Sequence, residues 1–181
     1  MRITISGPIG SGKTTVCNLL AKRSGQRSVV SGNIFREMAK EHHMSLGEFG
    51  QLCEHDMRYD RLLDERMVEI ARDNPDIILE GRLVAYMLEK NGIPALKFFL
   101  TADLETRAKR VVEREDSPLE VALKEMGERE DSEAVRYQSY YGINIKSIDV
   151  YDVVIDTADK SPEQIVDIMM ERVKEWKPQA C

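Results

Sequence analysis

The sequence contains little cysteine and no long hydrophobic run. Its three cysteines, Cys17, Cys53 and Cys181, are odd in number and widely spaced, which is typical of neither a disulfide framework nor a metal-binding knuckle. We therefore expect reduced thiols without a function. No stretch approaches the roughly 20 apolar residues that span a bilayer, so no membrane partner is expected. The absence of an apolar signal core after Met1 predicts a cytoplasmic protein.

Positive charge is also in deficit. The 26 Lys and Arg residues are outnumbered by 32 Asp and Glu residues, which gives a formal net charge of −6. Such a surface repels polyanions at long range, so a nucleic acid partner is not expected. A small phosphorylated ligand needs only a local cluster of basic side chains, and the sequence has several. We expect the chain to act as a monomer.

The order of apolar patterns along the chain indicates the fold class. At 181 residues the chain has the length of one domain, 1–181. Short β-branched runs alternate with helical patterns, which predicts an α/β domain with a mainly parallel sheet. Capping boxes predict helix starts at Ser45, Ser117 and Ser161, and helix ends are predicted at Gly25, Gly92 and Gly142. The five predicted strands cover residues 2–6, 28–31, 76–79, 96–100 and 152–156.

The first predicted strand leads into a segment with the P-loop pattern, Gly, four residues, Gly-Lys-Ser/Thr. Its glycines let consecutive backbone N–H groups turn toward phosphate oxygens, and the helix beginning near Lys13 adds the positive end of its dipole. Lys13 would contact the β- and γ-phosphates of ATP, and Thr14 would offer its hydroxyl to Mg²⁺. A chance match is disfavoured by the flanking strand and helix. The predicted ATP-binding residues are Gly7, Pro8, Ile9, Gly10, Ser11, Gly12, Lys13, Thr14 and Thr15.

Two further predicted strands end in residues suited to an anion or a metal. Ser31 and Arg36 flank a glycine turn that opens a helix, which has the form of a second anion site. A plain strand-to-helix turn with an exposed Arg is equally compatible with this pattern. Glu80 ends the third strand, at the edge where open α/β sheets bind ligands, so we expect it to hold Mg²⁺ through water. Pairing of Glu80 with a nearby basic side chain is the structural alternative.

One face of the long helix predicted after Ser117 changes from apolar to charged. Burying a guanidinium without a partner is costly. If this face stays inward beyond Met126, its arginines must therefore meet an anionic ligand or carboxylates. This face consists of Leu119, Ala122, Met126, Arg129, Glu133, Arg136 and Tyr140. The preceding helix has a second basic face. It could face inward like the first, or it could be exposed to solvent with charge pairs such as Glu105 and Lys109. It consists of Arg107, Arg110 and Arg114.

A P-loop alone does not separate kinases from GTPase switches and motor ATPases. The chain has no Asn-Lys-x-Asp guanine motif and no Asp-x-x-Gly switch motif, which disfavours a GTPase, and it is short for a motor ATPase. A nucleotide-dependent switch or assembly factor is the alternative from a different class, but it gives the second anion site no role. These features favour an ATP-dependent kinase.

On these residues, the sequence resembles the nucleoside monophosphate kinases and, within that group, the archaeal-type cytidylate kinases. The resemblance extends over essentially the whole chain and rests on the P-loop and on residues 31–36, 80–82, 128–136 and 154–157. It implies a three-layer P-loop domain with a five-stranded parallel sheet flanked by helices. It also implies a small CMP-binding segment at residues 32–75 and a mobile lid at residues 113–135.

The resemblance assigns roles to individual side chains. It implies that Arg36 and Arg82 hold the phosphate of CMP, and that Arg129 and Arg136 reach the phosphates as the lid closes. Glu133 stands where bacterial relatives have an Asp near the ribose. Replacing either lid arginine by Ala is expected to lower kcat by orders of magnitude, with a smaller effect on folding. The implied substrate-binding set is Ser31, Arg36, Arg82, Arg129, Glu133 and Arg136.

The implied reaction transfers the γ-phosphoryl group of ATP to CMP or dCMP. A phosphate monoester is largely dianionic at pH 7, because its second pKa is about 6, so it needs no general base. Positive charge from Mg²⁺ and from the catalytic residues Lys13, Arg129 and Arg136 would suffice. Bacterial relatives usually have Asp-Gly-Arg-Asp where this chain has Glu80 and Leu83, so their base contacts do not transfer. AMP, UMP, dTMP or a non-nucleotide such as shikimate stay open as acceptors.

Overall fold

Residues 1–177, which the computed structural model describes, form one five-stranded sheet with eight helices around it. The strand order is β2-β3-β1-β4-β5, and every neighbouring pair is parallel. The strands are β1 Arg2–Ser6, β2 Arg27–Val30, β3 Ile77–Glu80, β4 Leu96–Thr101 and β5 Val153–Asp156. The helices are α1 Lys13–Ser24, α2 Ser31–Glu41, α3 Leu46–His55, α4 Arg58–Asp73, α5 Val84–Lys90, α6 Leu104–Glu115, α7 Leu119–Tyr141 and α8 Pro162–Glu175.

Both faces of the sheet are buried under helices. Side chains of a strand alternate between its two faces. In β3, Ile78 therefore packs into a core with α1 and α8, whereas Ile77 and Leu79 pack into a second core with α4 and α5. A strand buried on both faces has to be a continuous apolar run, which is what the sequence provides. The three layers confirm the predicted α/β fold with five parallel strands.

Parallel pairing places the carboxyl ends of all five strands at one edge of the sheet. Ile5 of β1 and Val30 of β2 both lie in register with Glu80 of β3. The P-loop, the start of α2 and the segment after β3 therefore converge, although they are separated by tens of residues in the sequence. This edge is where ligands bind in open α/β sheets.

The strand boundaries lie within one residue of the predictions. One of these shifts moves a predicted site residue into another element. Ser31, predicted to end the second strand, is instead the first residue of α2, because the backbone is still extended at Val30 (φ −110°, ψ 110°) and turns helical after it. Ser31 therefore lies at a helix N-terminus rather than in the sheet.

Two of the three predicted capping boxes are confirmed. Ser45 and Ser161 each accept a hydrogen bond from the backbone three residues later, with the reciprocal side-chain bond present. The box at Ser117 is wrong. Pro118 is extended (φ −59°, ψ 145°), so α7 begins at Leu119 and the Ser117 hydroxyl is buried without a hydrogen-bond partner. The predicted helix terminators adopt the left-handed conformation, with φ of 71°, 63° and 68° at Gly25, Gly92 and Gly142.

Two of the three cysteines lie among the described residues. Cys17 and Cys53 are buried free thiols, and burial raises the pKa of each to about 12. Neither thiol therefore ionises near neutral pH. Cys181 lies outside the described residues. Within residues 1–177, no helix combines the length and the apolar character that crossing a membrane would require.

The serines before α7 and α8 provide a matched test of these helix starts. Ser161→Ala removes the oxygen that accepts from the Gln164 N–H at 3.3 Å, so we expect the free energy of unfolding to fall by about 1 kcal/mol. Ser117→Ala removes a hydroxyl that is buried without a partner, so we expect no loss of stability. Urea denaturation measures both changes. Equal losses in the two variants would contradict the start of α7 at Leu119.

Candidate active site

The P-loop forms the turn between β1 and α1, and its glycines are required by the backbone. Gly10 and Gly12 have φ of 80° and 88°, in the left-handed region that favours glycine. A Cβ on Gly10 would lie 2.5 Å from the carbonyl oxygen of Arg107, so the loop packs too closely on α6 for any larger residue. The backbone conformation and the close packing on α6 are therefore sufficient reasons for these glycines.

The start of α1 presents a cluster of backbone donors. In the segment from Gly10 to Thr15, five N–H groups have no hydrogen-bond acceptor within residues 1–177, those of Gly10, Gly12, Lys13, Thr14 and Thr15. The first turn of α1 contains no acidic residue, and no side chain caps it. The positive end of the helix dipole is therefore available to an anion. Such an arrangement is suited to phosphate.

Lys13 turns back onto the loop that precedes it. Its Nζ donates a hydrogen bond to the carbonyl oxygen of Pro8 at 2.8 Å. Burial lowers the pKa of Lys13 to about 8, although the nearby carboxylate of Glu80 opposes that shift. An ammonium group has three donors, so Lys13 can keep this bond and still contact an anion.

Thr14 and Glu80 come together where β1 and β3 end. The Thr14 hydroxyl donates to Glu80 Oε2 at 2.9 Å, and only 4% of Glu80 is exposed. Within residues 1–177, Glu80 forms no salt bridge with a basic side chain, so the alternative pairing is not found there. Hydroxyl and carboxylate oxygens are ligands that Mg²⁺ prefers, and this ion usually takes one or two of them from the protein and keeps several waters. The pair therefore fits the predicted metal.

Arg82 connects three separate elements. It follows β3, its Nη1 donates to the carbonyl oxygen of Gly7 at 2.6 Å, and its Nε donates to Glu133 Oε2 of α7 at 2.6 Å. Burial by itself would raise the pKa of Glu133, but the Arg82 guanidinium outweighs it and holds that pKa below the ordinary value. Glu133 is therefore ionised at neutral pH, and Arg82 is fixed beside the P-loop.

Ser31 and Arg36 lie at the start of α2, next to the segment after β3. A Cβ on Gly81 would fall 2.4 Å from the Ser31 hydroxyl, so the close approach of these two elements requires glycine. Arg36 is exposed and donates to Asn33 Oδ1 at 3.0 Å. An exposed Arg36 is compatible with both interpretations of this segment, a second anion site and a plain strand-to-helix turn.

One arginine of the basic face of α7 is buried beside a carboxylate of another helix. Arg136 is only 4% exposed, its Nε lies 3.2 Å from Asp60 Oδ2 of α4, and its Nη1 donates to the carbonyl oxygen of Gly50 at 3.4 Å. Burial raises the pKa of Asp60 to about 6, against the opposing effect of Arg136. Arg129 is half-buried and forms no salt bridge within residues 1–177. At the other end of the face Leu119 is half-exposed, because α7 begins there.

The three arginines of α6 differ in whether they are exposed to solvent or contact other elements. Arg114 pairs with its neighbour Glu115 on the surface, so the solvent-exposed interpretation holds for it. Arg110 instead donates to the hydroxyl of Thr157 at 2.9 Å and to its carbonyl oxygen at 2.6 Å. Arg107 donates to the carbonyl oxygen of Ile9 in the P-loop and to Glu130 Oε1. Sequence reasoning missed Thr157 and Glu130 because their partners lie on other elements and leave no local pattern.

Two cavities lie near these elements. One, of about 320 Å³, opens beside the P-loop between α6 and the start of α8, and Arg110, Arg114 and Lys160 are among its lining residues. The other, of about 500 Å³, lies between α4, α5 and the end of α7, and none of its lining residues belongs to the P-loop. The first cavity adjoins the free N–H groups of the P-loop, since Gly10, Gly12 and Thr15 are among its lining residues.

The parallel sheet, the P-loop and the arginines gathered at one edge define a P-loop kinase. The chain belongs to the cytidylate kinase-like family, because a sequence model of that family matches residues 2–159. It is 44% identical to the cytidylate kinase of Methanocaldococcus jannaschii, over 98% of this chain and 99% of that protein. It is 39% identical to the cytidylate kinase of Halobacterium salinarum, over 98% and 91%.

Solved structures support the fold alone, since their sequences are distant. An uncharacterized protein from Eubacterium ventriosum has a TM-score of 0.72 at 19% identity, over 97% of this chain and 99% of its own. Shikimate kinase from Aquifex aeolicus has a TM-score of 0.57 at 17% identity, over 97% of each chain. Both likenesses extend over almost the entire length, so the predicted fold class is confirmed along the chain.

Because Arg136 is buried, its replacement by Ala should destabilise the fold, and not only lower kcat as the sequence predicted. Arg136→Ala leaves the Asp60 carboxylate buried without a partner, so we expect the free energy of unfolding to fall by about 3 kcal/mol or more. Arg129→Ala is the matched control on the same helix, and we expect a loss below about 1 kcal/mol. Urea denaturation at pH 7 compares them. Equal stability of the two variants would contradict the Arg136–Asp60 pair.

Proposed function

We propose that this chain is a cytidylate kinase, which transfers the γ-phosphoryl group of ATP to CMP or dCMP and releases ADP. The observation that carries the proposal is the match to the cytidylate kinase-like family over residues 2–159. The P-loop supplies a site for the donor, and relatives named cytidylate kinase align with nearly the full length of the chain. A nucleotide-dependent switch would have no evident use for Arg82 beside that loop or for Arg36 in α2.

The donor would bind at the start of α1. The free N–H groups from Gly10 to Thr15 would surround the β-phosphate, and Lys13 would exchange part of its contact with Pro8 for phosphate oxygens. Thr14 would coordinate Mg²⁺ directly, with Glu80 holding it through water. When bound, the ion would neutralise charge that develops between the β- and γ-phosphates. The cavity beside Arg110 would accept the base of ATP.

The acceptor would bind on the side of α2 and β3. Arg36 is exposed there and Arg82 is already oriented by Glu133 and Gly7, so both can contact a monophosphate. Ser31 lies at the N-terminus of α2, where a hydroxyl and backbone donors favour the same group. The proposed CMP-binding segment, residues 32–75, corresponds to α2, α3 and α4, and the proposed lid, residues 113–135, to the end of α6 and most of α7.

The chemical step would need positioning more than acid–base catalysis. An oxygen of the CMP phosphate attacks the γ-phosphorus, the bond to the β-phosphate oxygen breaks, and ADP leaves with that electron pair. The attacking phosphate is already dianionic near pH 7. Lys13 and Arg129 would balance the charge of the transferred group, and Arg136 would act once closure frees it from Asp60. We further propose a monomer that works in the cytoplasm.

The acceptor can be identified in one set of assays. We expect ADP formation to require CMP or dCMP, with kcat/KM for UMP and AMP lower by about 100-fold. Lys13→Ala should abolish transfer while leaving the protein folded. A coupled assay that measures ADP release with each acceptor and with none makes the comparison. Faster turnover with UMP, AMP, dTMP or shikimate would correct the acceptor, and ATP hydrolysis without any acceptor would favour a switch.

The lowered pKa of Lys13 gives ATP binding a pH signature. Only the protonated ammonium attracts phosphate. Because the free protein loses that proton above a pKa of about 8, binding of MgATP at pH 9 should take up about one proton. The Kd should rise over the same range. Lys13→Arg keeps its charge at every such pH, so it should bind without proton uptake. Calorimetry in two buffers of different ionisation heat measures the uptake, and equal uptake by both proteins would contradict the assignment.

A further inference from the structure

Two side chains outside the P-loop motif hold the apex of the P-loop. The Ile9 N–H donates to Glu130 Oε1 of α7 at 3.1 Å, and the Ile9 carbonyl oxygen accepts from Arg107 Nη1 of α6 at 2.9 Å. The same Nη1 donates to Glu130 Oε1 at 2.7 Å. One ion pair therefore satisfies both backbone groups of a single loop residue. We call Arg107 and Glu130 the apex pair.

The surroundings make the apex pair stronger than a surface ion pair. The exposed fractions of its side chains are 11% for Arg107 and 28% for Glu130, so solvent screens their attraction only in part. The Ile9 side chain between them is 6% exposed and packs with Ala108 of α6 and Met126 of α7. The P-loop apex is thus attached to both helices by apolar and by polar contacts.

The loop beyond the apex needs such an attachment. From Gly10 to Thr15 the backbone contains glycines with positive φ and five N–H groups without an acceptor within residues 1–177. A glycine-rich loop loses conformational entropy when a ligand orders it, and that loss weakens binding unless the loop is ordered beforehand. Fixing Ile9 by both its N–H and its C=O defines where this segment begins.

We propose that Glu130, with Arg107, is a positioning residue for the phosphoryl donor. It acts through Ile9 and orders the P-loop before the triphosphate arrives. This inference rests on the proposed binding of ATP at the P-loop. Glu130 also lies one turn before Glu133, which holds Arg82, so α7 connects the donor site to the acceptor side. Movement of α7 during the reaction would therefore tighten or release the P-loop.

Three variants test the proposal, with one control. Glu130→Ala removes the acceptor for Ile9, and we expect the Kd of MgATP, measured by calorimetry without CMP, to rise about tenfold, as loss of one net hydrogen bond gives. Glu130→Gln keeps an oxygen acceptor and should restore binding to within about threefold. Arg107→Gln removes the other half of the apex pair and should resemble Glu130→Ala. The control is Glu128→Ala, an exposed carboxylate of the same helix paired with Lys124, which should bind like the wild type.

The readouts separate positioning from a structural role. Positioning predicts a raised Kd for MgATP with an unchanged KM for CMP, together with rescue by Glu130→Gln. A structural role predicts lower melting temperatures for Glu130→Ala and Glu130→Gln alike, with both substrates affected equally. That pattern, or wild-type affinity for MgATP in both Glu130→Ala and Arg107→Gln, would overturn the inference. If the wild type binds MgATP but does not phosphorylate CMP, only the proposed function fails, because the MgATP comparison still applies.

Discussion

The contact on which the site depends is the one that Arg82 makes with Gly7 and Glu133. Its guanidinium bridges the first residue of the P-loop and a carboxylate of α7, at 2.6 Å in each case. Without Arg82, Glu133 would be a buried charge that has lost its hydrogen-bond donor, at a cost of several kcal/mol. The same contact brings a positive charge to the place where two anionic substrates would meet. One interaction therefore serves both folding and the proposed chemistry.

Helix α7 organises the rest of the site by repeating such contacts along its length. Successive turns present Glu130 to the P-loop apex, Glu133 to Arg82 and Arg136 to Asp60. Near its end the hydroxyl of Tyr140 donates to the carbonyl oxygen of Cys53 in α3. A helix with this many partners on separate elements cannot shift without changing several of them. A shift of α7 on closure would therefore change the contacts at both substrate sites.

Local sequence patterns were sufficient for the sheet, the P-loop and most helix ends, because β-branched runs and glycine conformations are properties of neighbouring residues. They failed at Ser117, where a proline that suits a first helical position is extended instead. They also could not find that Arg136 meets Asp60 or that Glu130 meets Ile9. Those partners lie 76 and 121 residues apart and meet only because the sheet order brings their elements together. The carboxylates of the site were therefore harder to predict than its glycines.

The most direct test is a crystal structure of the protein with CMP and ADP bound together. The proposed function predicts the β-phosphate of ADP within hydrogen-bond distance of the backbone from Gly10 to Thr15, and the CMP phosphate contacting both Arg36 and Arg82. It also predicts that the two phosphates face each other across the carboxyl ends of β1 and β3. A monophosphate bound elsewhere, or Arg82 still facing only Glu133 and Gly7 with both nucleotides present, would contradict it.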